Sequence, residues 1–199
     1  KFLNKKIKSN TKVYDWKIPK EWNLKNAYIL DEKGNKICDF KQNNLHILGY
    51  SKKVNKNINY KSLKKKIFYL KKKPDSIPYL TSYYKKNWGF SLSYNQFKKL
   101  KKNSTYKVVV DSKHFNGNLD YTEMLIKGKS KKEILITSYI CHPSMANNEL
   151  SGPLVIMALS KILKPQKYSV RLLLIPETIG AIAYINKNLK NLKKNLIAG

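Results

Sequence analysis

The chain has 199 residues, 42% of them hydrophobic, and a formal net charge of +29. That length fits one large domain or two small ones around a real core, and no apolar run is long enough to span a bilayer. Lysine supplies nearly all the charge and Arg171 is the only arginine; because the arginine fork is the better reader of phosphates and base edges, the lysines read as solvated faces and nucleic acid is not the expected partner.

Residues 1–12 are Lys- and Asn-rich with little periodicity and read as a linker. From Val13 to Pro19 large apolar and polar residues alternate, a strand signal closed by proline. Residues 21–30 lead into Asp31-Glu-Lys-Gly34, a hairpin-type turn, and 36–40 is the returning strand. Residues 44–50 read as a further short strand. In 60–73, Leu63, Ile67 and Leu70 recur at helical spacing beneath a run of lysines, which predicts an amphipathic helix. Pro74 and Pro78 break the chain, 94–100 is a second helix, and 106–112 and 119–128 are strands, the latter turning at Gly128. After residue 130 the texture becomes βαβα: strand 133–141, helix 151–163, strand 168–175, helix 178–190. Strands alternating with helices of that length predict a parallel sheet with crossover helices. Residues 195–199 begin another strand, so the chain reads as a fragment.

The chemistry gathers at two strand ends. The apolar run 134–141 delivers His142 to its carboxyl end, and 170–176 ends on Glu177; in open α/β sheets, ligands bind outside the carboxyl ends of strands. His142 is a ligand or catalyst, or a packing residue of the turn. Glu177 ends a core strand, where an unpartnered acid is costly, or it favours the dipole of the helix it precedes. The turn 147–152, Asn-Asn-Glu-Leu-Ser-Gly, caps a helix through Asn148 or Ser151, or presents a side-chain oxygen beside His142. Cys38 and Cys141 have no zinc-knuckle or redox spacing, which suits a reducing cytoplasm; Cys141 reads as a small apolar residue of its strand. His46 and His114 lack companion acids, and Trp16, Trp22 and Trp88 read as core.

Taken in order, Val13-Tyr-Asp-Trp-Lys-Ile-Pro-Lys-Glu-Trp22, Leu45-His-Ile-Leu-Gly-Tyr-Ser51, Trp88-Gly-Phe90, Tyr139-Ile-Cys-His-Pro-Ser-Met-Ala-Asn147 and Pro176-Glu-Thr-Ile-Gly180 resemble a bacterial family of aminopeptidase-like proteins. That family is related to the co-catalytic zinc aminopeptidases of the leucyl aminopeptidase and glutamate carboxypeptidase type, and the resemblance covers about residue 12 to 199. It implies an α/β fold: a partial zinc-aminopeptidase-like parallel or mixed sheet flanked by helices, in 126–199, with a smaller β-rich inserted domain of α+β type in 13–125. A winged helix would follow beyond Gly199. It implies a cytoplasmic zinc-dependent hydrolase of peptide or amide bonds, with a small peptide or amide as substrate and no membrane. His142 would be a zinc ligand and Glu177 the general base.

Three positions depart from the related enzymes. Asn148 stands where the family has the metal-bridging aspartate, and Glu149, one residue along the turn, is expected to point elsewhere. Thr178 stands where the enzymes have a second acid, and Ser144 where an acid orients the histidine. Two further ligands, an aspartate and a histidine, would lie after Gly199. A non-catalytic binding protein that lost the metal is the alternative these departures support, and a nucleic-acid-associated protein is a weaker one.

Overall fold

Backbone contacts divide the chain into two units, residues 22–115 and residues 1–21 with 116–199. The structure is a computed structural model and describes residues 1–83, 85–142, 146–164 and 167–199. In chain order, β1 (Leu3–Lys8) and the hairpin of β2 (Lys12–Val13) and β3 (Trp16–Lys17) precede β4 (Glu21–Leu30) and β5 (Lys36–Asp39). A 3-10 turn at Asn44–His46 leads to β6 (Val54–Asn59), α1 (Tyr60–Lys64) and β7 (Ile67–Phe68). Next come β8 (Phe90–Ser91), α2 (Tyr94–Lys98), β9 (Thr105–Phe115) and β10 (Asn118–Ile126). The last part holds β11 (Glu133–Tyr139), α3 (Asn147–Ile162), β12 (Ser169–Ile175), α4 (Ile179–Asn195) and β13 (Leu196–Ala198). Among the described residues no helix is long and apolar enough to cross a membrane.

The 22–115 unit is built on a four-stranded sheet, β5-β4-β9-β6. Period-two alternation makes it: Tyr106, Val108 and Val110 of β9 are buried in turn, as are Ala27 and Ile29 of β4. They share one core with Leu63, Trp88, Phe90, Leu92 and Phe97. Trp22 closes its edge by donating its indole N–H to the Ser51 carbonyl at 2.8 Å. The helix predicted over 60–73 stops at Lys64, because Ile67 is drawn into the core by the parallel pairing of β7 with β8. The strand predicted over 44–50 is instead the 3-10 turn plus isolated bridges from Ile47 to Phe90 and Gly49 to Thr81.

Short α2 depends on its start. Ser93 Oγ accepts from the Gln96 N–H at 3.1 Å, and Gln96 Oε1 accepts from the Ser93 N–H at 2.9 Å, a reciprocal capping box. Ser93→Ala is expected to lower stability by about 1 kcal/mol, read as a shift of the urea midpoint at unchanged slope.

The other unit carries a five-stranded mixed sheet, β1-β10-β12-β11-β13. β12 lies parallel to β11 and antiparallel to β10, and β13 extends the sheet parallel to β11. Both faces of β12 are covered, which is why it reads as an apolar run apart from Arg171. Val170, Leu172 and Leu174 pack with Ile156 of α3. Leu173 and Ile175 pack with Ala183 and Tyr184 of α4, together with Leu119 and Tyr121 of β10. The sheet therefore takes in two segments that the sequence reading assigned elsewhere. Strand β1, in the stretch expected as a linker, pairs with β10 from Leu3↔Glu123 to Lys8↔Asn118. β10, placed by sequence in the inserted domain, pairs with β12 from Thr122↔Leu174 to Ile126↔Val170. Only Ile7 of β1 is buried, and Lys6 and Lys8 face solvent on an edge strand, so no apolar period betrays it.

On the same face of the sheet as Leu173, Arg171 forks onto Glu133 at 2.7 and 3.0 Å and reaches Glu123 at 3.1 Å. The Tyr184 hydroxyl donates to the same Glu123 oxygen at 3.1 Å. Hydrogen bonding to Glu133 raises the Arg171 pKa further above its ordinary value, and burial raises that of Tyr184. α3 buries Ile156 but leaves Leu150, Leu154, Val155, Met157 and Ile162 between 49% and 68% exposed.

Candidate metal and catalytic site

The parallel register of β11 with β12 runs from Glu133↔Ser169 to Tyr139↔Ile175. Both strands therefore finish at the same edge, and the ladder continues one step further through Ile140 N–H donating to the Ile175 carbonyl at 3.0 Å. That places Cys141 and His142 beside Pro176 and Glu177. α3 returns close across β11: a Cβ on Gly152 would lie 2.1 Å from Ser138 Oγ, so a larger residue there requires that serine side chain to turn away. The residues preceding the two helices, Ala146 and Thr178, hold φ of 50° and 53° without a side-chain cap. For a β-branched residue such as Thr178 this is a strained conformation, of the kind that collects at functional sites.

Among the described residues, a Cys141 sulfur, a His142 ring nitrogen and a Glu149 carboxylate oxygen all lie within 4.8 Å of one another, each half-buried. Glu149 Oε2 accepts the Cys141 N–H at 2.8 Å. Cys141 Sγ in turn accepts the Glu177 N–H at 3.0 Å. Burial pushes the Cys141 thiol pKa up; the Glu177 N–H opposes this and the Glu149 and Glu177 charges reinforce it.

Of the three residues read from sequence, His142 belongs to this cluster. The Glu177 side chain is exposed rather than lodged at a core edge, and its backbone makes the contact with Cys141. Asn148 is exposed, and its Oδ1 accepts the Tyr139 hydroxyl at 2.6 Å. Ser144 lies outside the described residues. Glu149, expected to point away, joins His142 instead, and Cys141 joins it from a loop rather than from a buried strand. The cause is element length. β11 ends at Tyr139, two residues short of its predicted end, and α3 begins at Asn147, four residues before its predicted start. Glu149 then falls in the first helical turn and faces the strand end.

The other histidines are structural. His46 is buried with Nδ1 at 2.8 Å from the Ser91 carbonyl. His114 packs edge-on against Tyr50, 4.5 Å between centroids. A depression of about 370 Å³ in the 22–115 unit, bounded by Glu32, Lys33, Lys99, Lys101 and Tyr106, holds no histidine or cysteine.

The donors present fit a zinc-type ion. Imidazole, carboxylate and thiolate are the ligand types such an ion takes, and three protein donors leave one position open.

The model of the domain of unknown function DUF4910 matches residues 2–199. A Clostridium acetobutylicum protein named "Putative polysaccharide biosynthesis protein with aminopeptidase-like domain" is 49% identical over 197 residues, covering 96% of this chain and 45% of that protein. A crystal structure of a "putative peptidase" from the same organism superposes with a TM-score of 0.88 at 47% identity, over 100% of this chain and 48% of that one. BSAP, a zinc aminopeptidase from Bacillus subtilis, has a TM-score of 0.63 at 14% identity, over 99% of this chain and 58% of that one. That last likeness concerns the fold, a mixed sheet flanked by helices. The chain spans about half the length of the relatives it matches.

Proposed function

The chain belongs to the DUF4910 family, and on that premise we propose that it is part of a zinc-dependent hydrolase of aminopeptidase type, cleaving peptide or amide bonds. The observation that carries this reading is the meeting of two parallel strand ends, which brings His142, Cys141 and Glu149 beside Glu177. The aminopeptidase-like relative and the zinc aminopeptidase of similar fold support it.

When bound, a zinc ion supplies Lewis acidity that lowers the pKa of water toward about 7 and polarises a carbonyl. His142 would help hold it. Glu177 follows β12 with its carboxylate in solvent, and in this reading it would take a proton from an attacking water and return it to the leaving amine. Its N–H, fixed on Cys141 Sγ, sets where that carboxylate starts. Asn148, held by the Tyr139 hydroxyl, brings no charge to this site.

The test is release of N-terminal residues from a peptide panel by the full-length protein, with and without a chelator. Chelator-sensitive release is the expected result. A zinc-loaded protein that cleaves none of the panel would overturn the hydrolase and favour the non-catalytic relative.

A further inference from the structure

We propose that Cys141, His142 and Glu149 are the metal ligands this stretch of chain supplies at the strand end, a mixed sulfur, nitrogen and oxygen set that takes one zinc-type ion and leaves Asn148 outside its coordination. The location rests on the hydrolase reading; the ligand set rests on geometry alone.

Donors around a tetrahedral zinc at 2.0–2.3 Å stand about 3.3–3.7 Å apart. The three donor atoms here lie within 4.8 Å of one another, so side-chain adjustments of about 1 Å close the site. Two backbone groups already orient them as the outer shell of a metal site does. The Cys141 N–H engages one oxygen of Glu149 and holds its carboxylate beside the cysteine. The Glu177 N–H points at the Cys141 sulfur and fixes its position at the strand end. Thiolate, carboxylate and neutral imidazole sum to two negative charges, which match a divalent ion. On binding, the thiol proton passes to solvent as the metal–sulfur bond forms. Asn148 contributes no charge, its side chain is exposed, and its Oδ1 accepts the Tyr139 hydroxyl. A sulfur donor also selects zinc or cobalt over magnesium and calcium, which prefer all-oxygen sites.

The experiment is titration of the full-length protein with cobalt(II), read by the near-ultraviolet thiolate-to-cobalt charge-transfer band. One band-forming site per chain is expected, reversed by zinc and untouched by magnesium. Cys141→Ser should abolish the band. Glu149→Gln should keep the band but weaken affinity by more than about 100-fold, since outer-shell losses alone cost 10–100-fold. Asn148→Ala and Cys38→Ser should leave band and affinity unchanged; Cys38 is buried in the 22–115 unit. Zinc should also protect Cys141 of the unmodified protein from alkylation, a measurement that needs no variant. No band, a band lost in Cys38→Ser, or an affinity loss in Asn148→Ala equal to that of Glu149→Gln would overturn the proposal. An intact band in a protein that cleaves nothing sinks the hydrolase and leaves the metal site standing. Hydrolysis without the band does the reverse.

Discussion

Arg171→Ala is expected to destabilise the protein by about 3–5 kcal/mol, the loss incurred when one partner of a buried ion pair is removed. The side chains of Arg171, Glu133 and Glu123 are only 14%, 9% and 16% exposed. Removing the guanidinium leaves two carboxylates facing each other across β12 with only the Tyr184 hydroxyl for relief. Lysine at 171 restores one charge but not the fork, so Arg171→Lys should recover part of the loss. The informative variant replaces all three members, Arg171→Met with Glu123→Leu and Glu133→Leu. It should lie closer to the parent than the single alanine variant, because no buried charge is left unpaired. Urea denaturation of the three variants decides it, and a single-alanine loss below about 1 kcal/mol would show that the network contributes little.

Glu177→Gln is expected to lower kcat for N-terminal amide hydrolysis by about 10²–10⁴-fold, the usual contribution of general base catalysis. KM should stay nearly constant, because the proton transfer is made in the transition state and not in binding. The substitution keeps the backbone N–H that meets Cys141 Sγ, and the side chain is exposed. Stability should therefore stay within about 0.5 kcal/mol of the parent, and cobalt affinity should be unchanged. A kcat within a few-fold of the parent would remove Glu177 from the chemistry and return it to a helix-start role.

The strand ends were legible in the sequence because β12 is covered on both faces and reads as an apolar run interrupted only by Arg171. The edge of the same sheet was not, since a lysine-rich strand with Ile7 alone buried has no period to read. β6 escaped for a related reason: only Val54 of its six residues is buried. The position of His142 after a strand could be read from the sequence, but its nearness to Glu149 could not. Each residue turns a helix by about 100°, so whether Glu149 faces the strand end depends on where α3 begins. No side-chain cap or other local pattern marks that start. The comparison of Asn148 with an aspartate position drew attention to the residue that the structure ties to Tyr139.

The uncovered side of α3 gives this polypeptide two colloidal regimes. Five aliphatic or thioether side chains sit in solvent on a molecule carrying +29 charges. At low ionic strength lysine repulsion holds copies apart beyond the reach of those side chains. Screening shortens from about 10 Å at 0.1 M salt to about 3 Å at 1 M, and the helix surface then becomes adhesive. For this stretch of chain alone, rising salt is expected to promote association, which light scattering at about 0.1 M and about 1 M salt would read. A protein held to its partners by charge responds to salt in the opposite sense.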